Sequence, residues 1–206
     1  MGLRDVYRIE KIENSKATEI HIKEHYLHRR ASCSDAFGLI EIKTGEVVGV
    51  VTYGVPASRS LQKGVCGEEY ANSVGELTRL WIKNDTPKNV ESFLIGNTIK
   101  KQRFKILVSY AECRQGHVGF VYQATNWIYT GLSAKRTDVV IDGQKNSKHG
   151  RHLLDKYGGQ KKAREVLGDR FELVPRPRKH RYVFFNAPKK EKKFLKSILK
   201  YKTKEY

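Results

Sequence analysis

Hydrophobic positions fall in blocks whose spacing switches between three-to-four and two, so the chain predicts helices and strands in alternation. Ile9, Ile12, Ala17, Ile20 and Tyr26 step at mostly helical intervals and predict an opening helix that reaches His28. The stretch "AFGLIEIKTGEVVGVVTYG" then reads as two strands around a Thr44-Gly45 turn, and "VGELTRLWI" as a further strand. In "DTPKNVESFLIGNTIKK", Asp85 or Thr86 is the expected N-cap, with Pro87 in the first turn and Val90, Phe93, Leu94 and Ile99 on one face of a helix. "KILVSYA" is short, almost wholly apolar and bounded by charge, as a central strand should be. Val118, Val121, Tyr122, Thr125 and Ile128 predict a helix from Gly116 to Tyr129, in which Gly116 and Gly119 allow close approach of another group. Beyond it lie "TDVVIDG", a helix around Ala163–Leu167, and a hairpin of "RFELV" and "RYVFF" joined by "PRPRKH". The terminal "KKEKKFLKSILKYKTKEY" reads as a basic helix or frayed tail, and no internal repeat is present.

A chain of 206 residues supports one domain with a short appendage, drawn here as a domain over 1–187 and a basic extension over 188–206. Eleven tyrosines and eight phenylalanines argue against general disorder. The three cysteines, Cys33, Cys66 and Cys113, are odd in number and form no CxxC pair, which suggests a reducing compartment. No early apolar segment and no run of about 18 apolar residues supports export or a membrane span, so a cytosolic protein is expected. Charge is unevenly placed. Residues 1–134 carry 18 basic and 14 acidic side chains, net +4, while residues 135–206 carry 22 and 8, net +14. Such an excess suits a polyanion whose counterions are released on contact, and nucleic acid is the natural partner. The plainer alternative is a solubilising surface.

The stretch "SYAECRQGHVGFVYQATNWIYTG" at 109–131 concentrates groups that move protons, stack or coordinate. The order helix, hairpin, strand, helix, strand, helix, strand is that of the GNAT acyltransferase fold, so an α/β class is expected, with one GNAT-like domain built on a central mixed sheet flanked by helices. Together with "EHYLHRR", "VVGVVTYGVPASRS" and "VCGEEYANSVGELTRLWI", the 109–131 stretch resembles the Mom family of bacteriophage DNA-modification proteins, over roughly residues 25–131 with an echo in "PRKHRYVFF". The resemblance implies a transferase that adds a carbamoylmethyl group to N6 of adenine in phage DNA, shielding it from restriction in the host bacterium's cytoplasm. It also implies an iron requirement and leaves the group donor unassigned.

The residues can be weighed for that chemistry on their own terms. A paired, stacked adenine must be flipped into a pocket with aromatic walls and groups for its edge, and Tyr110, Tyr122, Asn126 and Trp127 offer such types. Glu112 could draw off the amine proton, Arg79 could stabilise charge on the donor, Ser109 could add a hydrogen bond, and His117 could cap a helix or touch DNA. For each residue singly, the competing reading is a core aromatic or a surface acid. His21, His25 and His28 are spaced to lie along one helix face; His25 is favoured for metal, with Tyr26 or Glu112 as companion, and a surface role is expected for His21 and His28. Lys179, His180, Arg181, Lys189 and Lys190 are the expected DNA contacts, along with His149 and His152 amid Lys and Arg. No amino-methyltransferase tetrad or Gly-rich methyl-donor loop occurs, which disfavours S-adenosylmethionine. The GNAT pyrophosphate loop is replaced by "KNDTPKNVESF", which puts acyl-CoA in doubt. Two alternatives stay open: a GNAT acyltransferase acting on RNA or protein amines, and a DNA-binding protein without catalysis. A homodimer is also open.

Overall fold

The computed structural model describes residues 2–113, 116, 118–145 and 154–205. In chain order these form α1 (Leu3–Val6), β1 (Tyr7–Lys11), α2 (Asn14–Glu24), β2 (Asp35–Glu41), β3 (Val47–Gly54), α3 (Arg59–Cys66), β4 (Val74–Ile82), α4 (Val90–Thr98) and β5 (Ile106–Glu112). There follow α5 (Phe120–Ala124), β6 (Ile128–Leu132), β7 (Arg136–Ile141), β8 (Gln144–Lys145), α6 (Gln160–Leu167), β9 (Phe171–Arg176), β10 (Lys179–Phe185) and α7 (Lys189–Ser197). Two compact units result. One holds residues 1–111, 118–131 and 180–206, and the other holds 112–117 and 132–179.

The first unit is built on a sheet of order β1, β2, β3, β4, β5, β10, β6. β1 to β4 are antiparallel neighbours, and β4 runs parallel to β5. The strands β2 and β3 are almost wholly buried because both their faces are covered, so their sequences read as continuous apolar runs. One face sends Phe37, Val51, Tyr53, Leu77 and Leu107 against α4 residues Val90, Leu94 and Ile95. The other packs Ala36 and Val50 on Ala17 of α2, and Val74, Ile106 and Val108 on Val65 of α3 and Leu195 of α7. The second unit pairs β8, β7 and β9 in a small antiparallel sheet, with Ala163 and Leu167 of α6 packed on Val139 and Phe171.

Four local expectations are corrected. Residues 7–11 form a strand, with Ile9 opposite Leu39, and the opening helix stops at Glu24 because His25 is extended (φ −80°, ψ 136°). The helix α4 begins only at Val90, since Asp85 (φ 64°) and Asn89 (φ 70°) are left-handed and break any earlier turn. The helix expected over 116–129 shrinks to five residues between Gly119 (φ 87°) and Asn126 (φ 62°), after which the chain turns into β6. The stretches "RFELV" and "RYVFF" do not pair: β9 is an edge strand beside β7, where Pro175 is tolerated, while β10 enters the large sheet.

Close approach is borne out at Gly119 but not at Gly116, where a Cβ would meet nothing within 4 Å. At Gly119 a Cβ would lie 2.5 Å from the Tyr182 ring, on a backbone that L side chains rarely adopt. Gly119→Ala should therefore cost about 3 kcal/mol or more, combining left-handed strain with overpacking. A denaturant midpoint unchanged from wild type would contradict this.

The basic segment from 188 onward is tied into the first unit. Leu195 is fully buried, the Arg181 guanidinium lies 3.4 Å above the centre of the Tyr201 ring, and the Lys204 N–H donates to the Tyr129 carbonyl at 3.0 Å.

Candidate active site

β4 and β5 are paired only over Val74–Glu76 and Ile106–Val108. Beyond that ladder β4 continues to Ile82 and Ser109–Ala111 continue β5, with a bulge where Thr52 pairs with Arg79 and Tyr53 with Leu77, leaving Thr78 extra. A bulge bends its strand and re-aims side chains, and this one displaces Arg79 from the regular alternation.

Around Arg79 the structure gathers groups from α2, its C-terminal turn and β3. His21 and His25 are both buried, their ring centres 5.8 Å apart at 84°, and the His25 ring stacks on Tyr26 at 4.4 Å. The Thr52 hydroxyl lies 3.5 Å from His21 Nε2 and 3.0 Å from the Thr78 hydroxyl. Arg79 donates from Nη1 to the Thr78 carbonyl at 2.7 Å; its buried Nε and His21 Nδ1 have no hydrogen-bond partner among the described residues. A cavity of about 10 Å³, the space of a single water, is lined by both side chains and by Thr52, Arg29 and Cys33. Burial pushes the Arg79 guanidinium below its usual range, whereas Tyr26 and Glu76 act the other way and favour its charge. Glu76 was not singled out in the sequence. Its signal was an acid inside the strand-like run "VGELTRLWI".

On the α4 side of the sheet, the buried Ser109 hydroxyl is hydrogen-bonded to the Leu77 carbonyl at 3.1 Å and the Tyr122 hydroxyl at 2.8 Å. Tyr122 is itself buried against Trp127 (5.2 Å between ring centres) and Tyr182 (4.9 Å). Burial pushes the Tyr122 phenol up to about 12, the Tyr26 and Glu76 charges adding to the rise and the Ser109 hydrogen bond opposing it. Arg79, His21, His25 and Tyr26 thus group on the α2 side of the sheet, and Ser109, Tyr122 and Trp127 on the α4 side. Strand alternation turns Tyr110 away from Ser109, onto the cluster of Val65 and Ile106. Asn126 is exposed and lines a groove beside α4. Glu112 falls in the second unit, where its carboxylate holds the Lys179 ammonium at 2.7 Å. His180 is hydrogen-bonded to the Tyr129 hydroxyl at 2.8 Å and Arg181 donates to Thr130, whereas Lys189 and Lys190 are exposed on the first turn of α7. His117, His149 and His152 lie outside the described residues.

The expected surface role of His21 is corrected: it is 3% exposed, because α2 lays it on β3, while His28 is exposed as expected. The three histidines do not share a helix face, since α2 ends before His25. For iron, His25 offers one ring nitrogen, the other accepting the Leu27 N–H at 3.1 Å. Among the described residues no three His, Cys, Asp or Glu side chains are placed to hold an ion, so His25 and Tyr26 do not complete a metal site there.

Burial, with the nearby His25 and Arg79 charges, drives the His21 pKa down to about 3, against an unfolded value near 6.5. Between those values the unfolded chain binds more protons, so His21 contributes stability above about pH 6.5 that is lost as pH falls toward 3. Metal-free protein should lose about 2 kcal/mol from this group between pH 7.5 and 5, and His21→Gln should remove that part of the acid sensitivity. Equal urea-midpoint shifts in both proteins would contradict it.

Three comparisons bear on identity. The fold is GNAT-like: Arabidopsis thaliana NAA60, solved in complex with acetyl-CoA, superposes with a TM-score of 0.50 at 10% identity, over 87% of this chain and 97% of that one. The methylcarbamoylase mom of Escherichia phage Mu is 26% identical over 199 residues, covering 94% of this chain and 81% of that protein. The family model of the Mom proteins matches residues 6–206, nearly the whole length, and with a GNAT-like sheet whose splayed strands carry Arg79 and Ser109 the chain belongs to the Mom protein family.

Proposed function

We propose that the protein is a DNA-modifying transferase that places a carbamoylmethyl-type group on N6 of adenine in duplex DNA and so shields it from restriction, acting in the cytoplasm of a host bacterium. Membership of the Mom family and the name of the phage Mu relative support the class of reaction. The observation that carries the reading at this site is Arg79. It is a half-buried guanidinium beside two buried imidazoles and Glu76, with no carboxylate ion pair among the described residues. A cation placed so is suited to an anionic group that arrives with the substrates, and its planar fork can stabilise charge developing on a carbonyl or leaving group.

Adenine N6 is a weak nucleophile and must leave the base stack to react. As its nitrogen forms a bond to the transferred carbon and the bond to the leaving group breaks, the N6 proton needs an acceptor. Glu76, three residues before Arg79 on the bulged strand β4 and favouring its charge, is the carboxylate we assign to that role. Glu112 is the second candidate, and its ion pair with Lys179 would have to open first. Ser109 and Tyr122 brace the wall of the site from the core. The exposed Lys189 and Lys190 suit phosphate contacts, and the group donor stays unassigned. In Glu76→Gln, modified deoxyadenosine should fall about a hundredfold with the melting temperature held, whereas Glu112→Gln should retain most activity. The opposite ranking in DNA from expressing cells would move the base to Glu112.

A further inference from the structure

We propose that the cavity between α4, α5 and α7 binds a small phosphomonoester, a site separate from the Arg79 neighbourhood and independent of the adenine chemistry. Its volume is about 510 Å³, within the range of small-molecule sites. Its lining includes Ser92, Gly96, Lys100, Asn126, Phe184 and Lys192, and contains no aspartate or glutamate. The two lysines come from different elements, and no ion pair holds either among the described residues. The Lys192 ammonium stands 5.1 Å from the centre of the Phe184 ring. Burial, together with the Lys196 and Lys100 charges, pushes its pKa below the lysine range. Two mutually repelling cations over an aromatic floor are matched by a dianion on an organic body. A phosphomonoester supplies that at neutral pH, whereas a carboxylate or a DNA phosphodiester carries one charge.

Gly96 is the second observation. It sits inside α4, where glycine costs about 1 kcal/mol relative to alanine. Packing within the protein does not require it, since a Cβ there would meet nothing within 4 Å. A bare backbone facing this cavity leaves room for a ligand to lie close against the helix.

The test is isothermal titration of the full chain with AMP, inorganic phosphate and a short DNA duplex. AMP should bind one to one and more tightly than inorganic phosphate. Lys100→Gln combined with Lys192→Gln should weaken AMP binding at least tenfold. Gly96→Leu should do the same while melting no lower than wild type, because leucine is the better helix former and has space there. The proposal is overturned if AMP fails to bind, if inorganic phosphate binds as well as AMP, or if these variants leave AMP binding unchanged. It is also overturned if the variants lower affinity for the duplex alone, which would make the cavity part of a DNA track.

Discussion

Replacing Arg79 by lysine is expected to cut adenine modification by about a hundredfold or more while leaving the fold intact. The expectation follows from geometry. Arg79 is half-buried next to a bulge, anchored through Nη1 to the Thr78 carbonyl, with the buried Nε lacking a partner among the described residues. Removal of one preorganised donor aimed at developing charge typically costs about 10²- to 10³-fold in rate. An ammonium keeps the charge but loses the planar two-donor fork, so a charge-only role and a geometric one separate cleanly. The measurement is modified deoxyadenosine per total deoxyadenosine, read beside a thermal melt. A lysine variant with wild-type modification would reduce Arg79 to a structural cation.

The second large effect is on stability. Leu195 lies on α7, within a stretch where lysine dominates, yet it is fully buried among Val65, Val74, Ile106 and Phe185. Leu195→Ala should cost about 2–5 kcal/mol, the range for a buried leucine truncated in a packed core. Neutralising the exposed Lys189 and Lys190 on the same helix should leave stability within about 0.5 kcal/mol and instead flatten the salt dependence of duplex binding. A Leu195→Ala protein with the wild-type denaturant midpoint would show that the helix adds nothing to the core.

The contrast at α7 shows what patterning reveals. Lysine density at 189–206 dominates any compositional reading, while the burial of Leu195 depends on residues such as Val65 and Val74, more than a hundred positions away in sequence. Runs with a single meaning were legible: "KILVSYA" lies in the middle of the large sheet, and the Thr44-Gly45 turn joins β2 to β3. The 118–128 periodicity misled because apolar residues at helical intervals serve here in two elements, α5 and β6, with the left-handed Asn126 between them. Pairing of "RFELV" with "RYVFF" failed because strand sequences do not name their partners, and β9 finds β7.

The site divides along the same line. Arg79, Ser109, Tyr122, His25 and Tyr26 were recognisable as residue types; Arg79, His25 and Tyr26 gather on the α2 side of the sheet, and Ser109 meets Tyr122 on the α4 side. Tyr110 carries similar chemistry one residue from Ser109 but is sent to the other face by alternation. Glu76 was overlooked because an acid in "VGELTRLWI" looks like an ordinary polar position of a half-exposed strand. Only the short β4–β5 ladder and the bulge after it bring Glu76 into the Arg79 neighbourhood.

Nucleoside mass spectrometry of plasmid DNA from bacteria expressing the protein tests the central claim most directly. A deoxyadenosine carrying an added carbamoylmethyl-type mass, present with the wild-type chain and absent with Arg79→Lys, is the predicted result. Unmodified deoxyadenosine in DNA from cells that contain folded, soluble wild-type protein would contradict it.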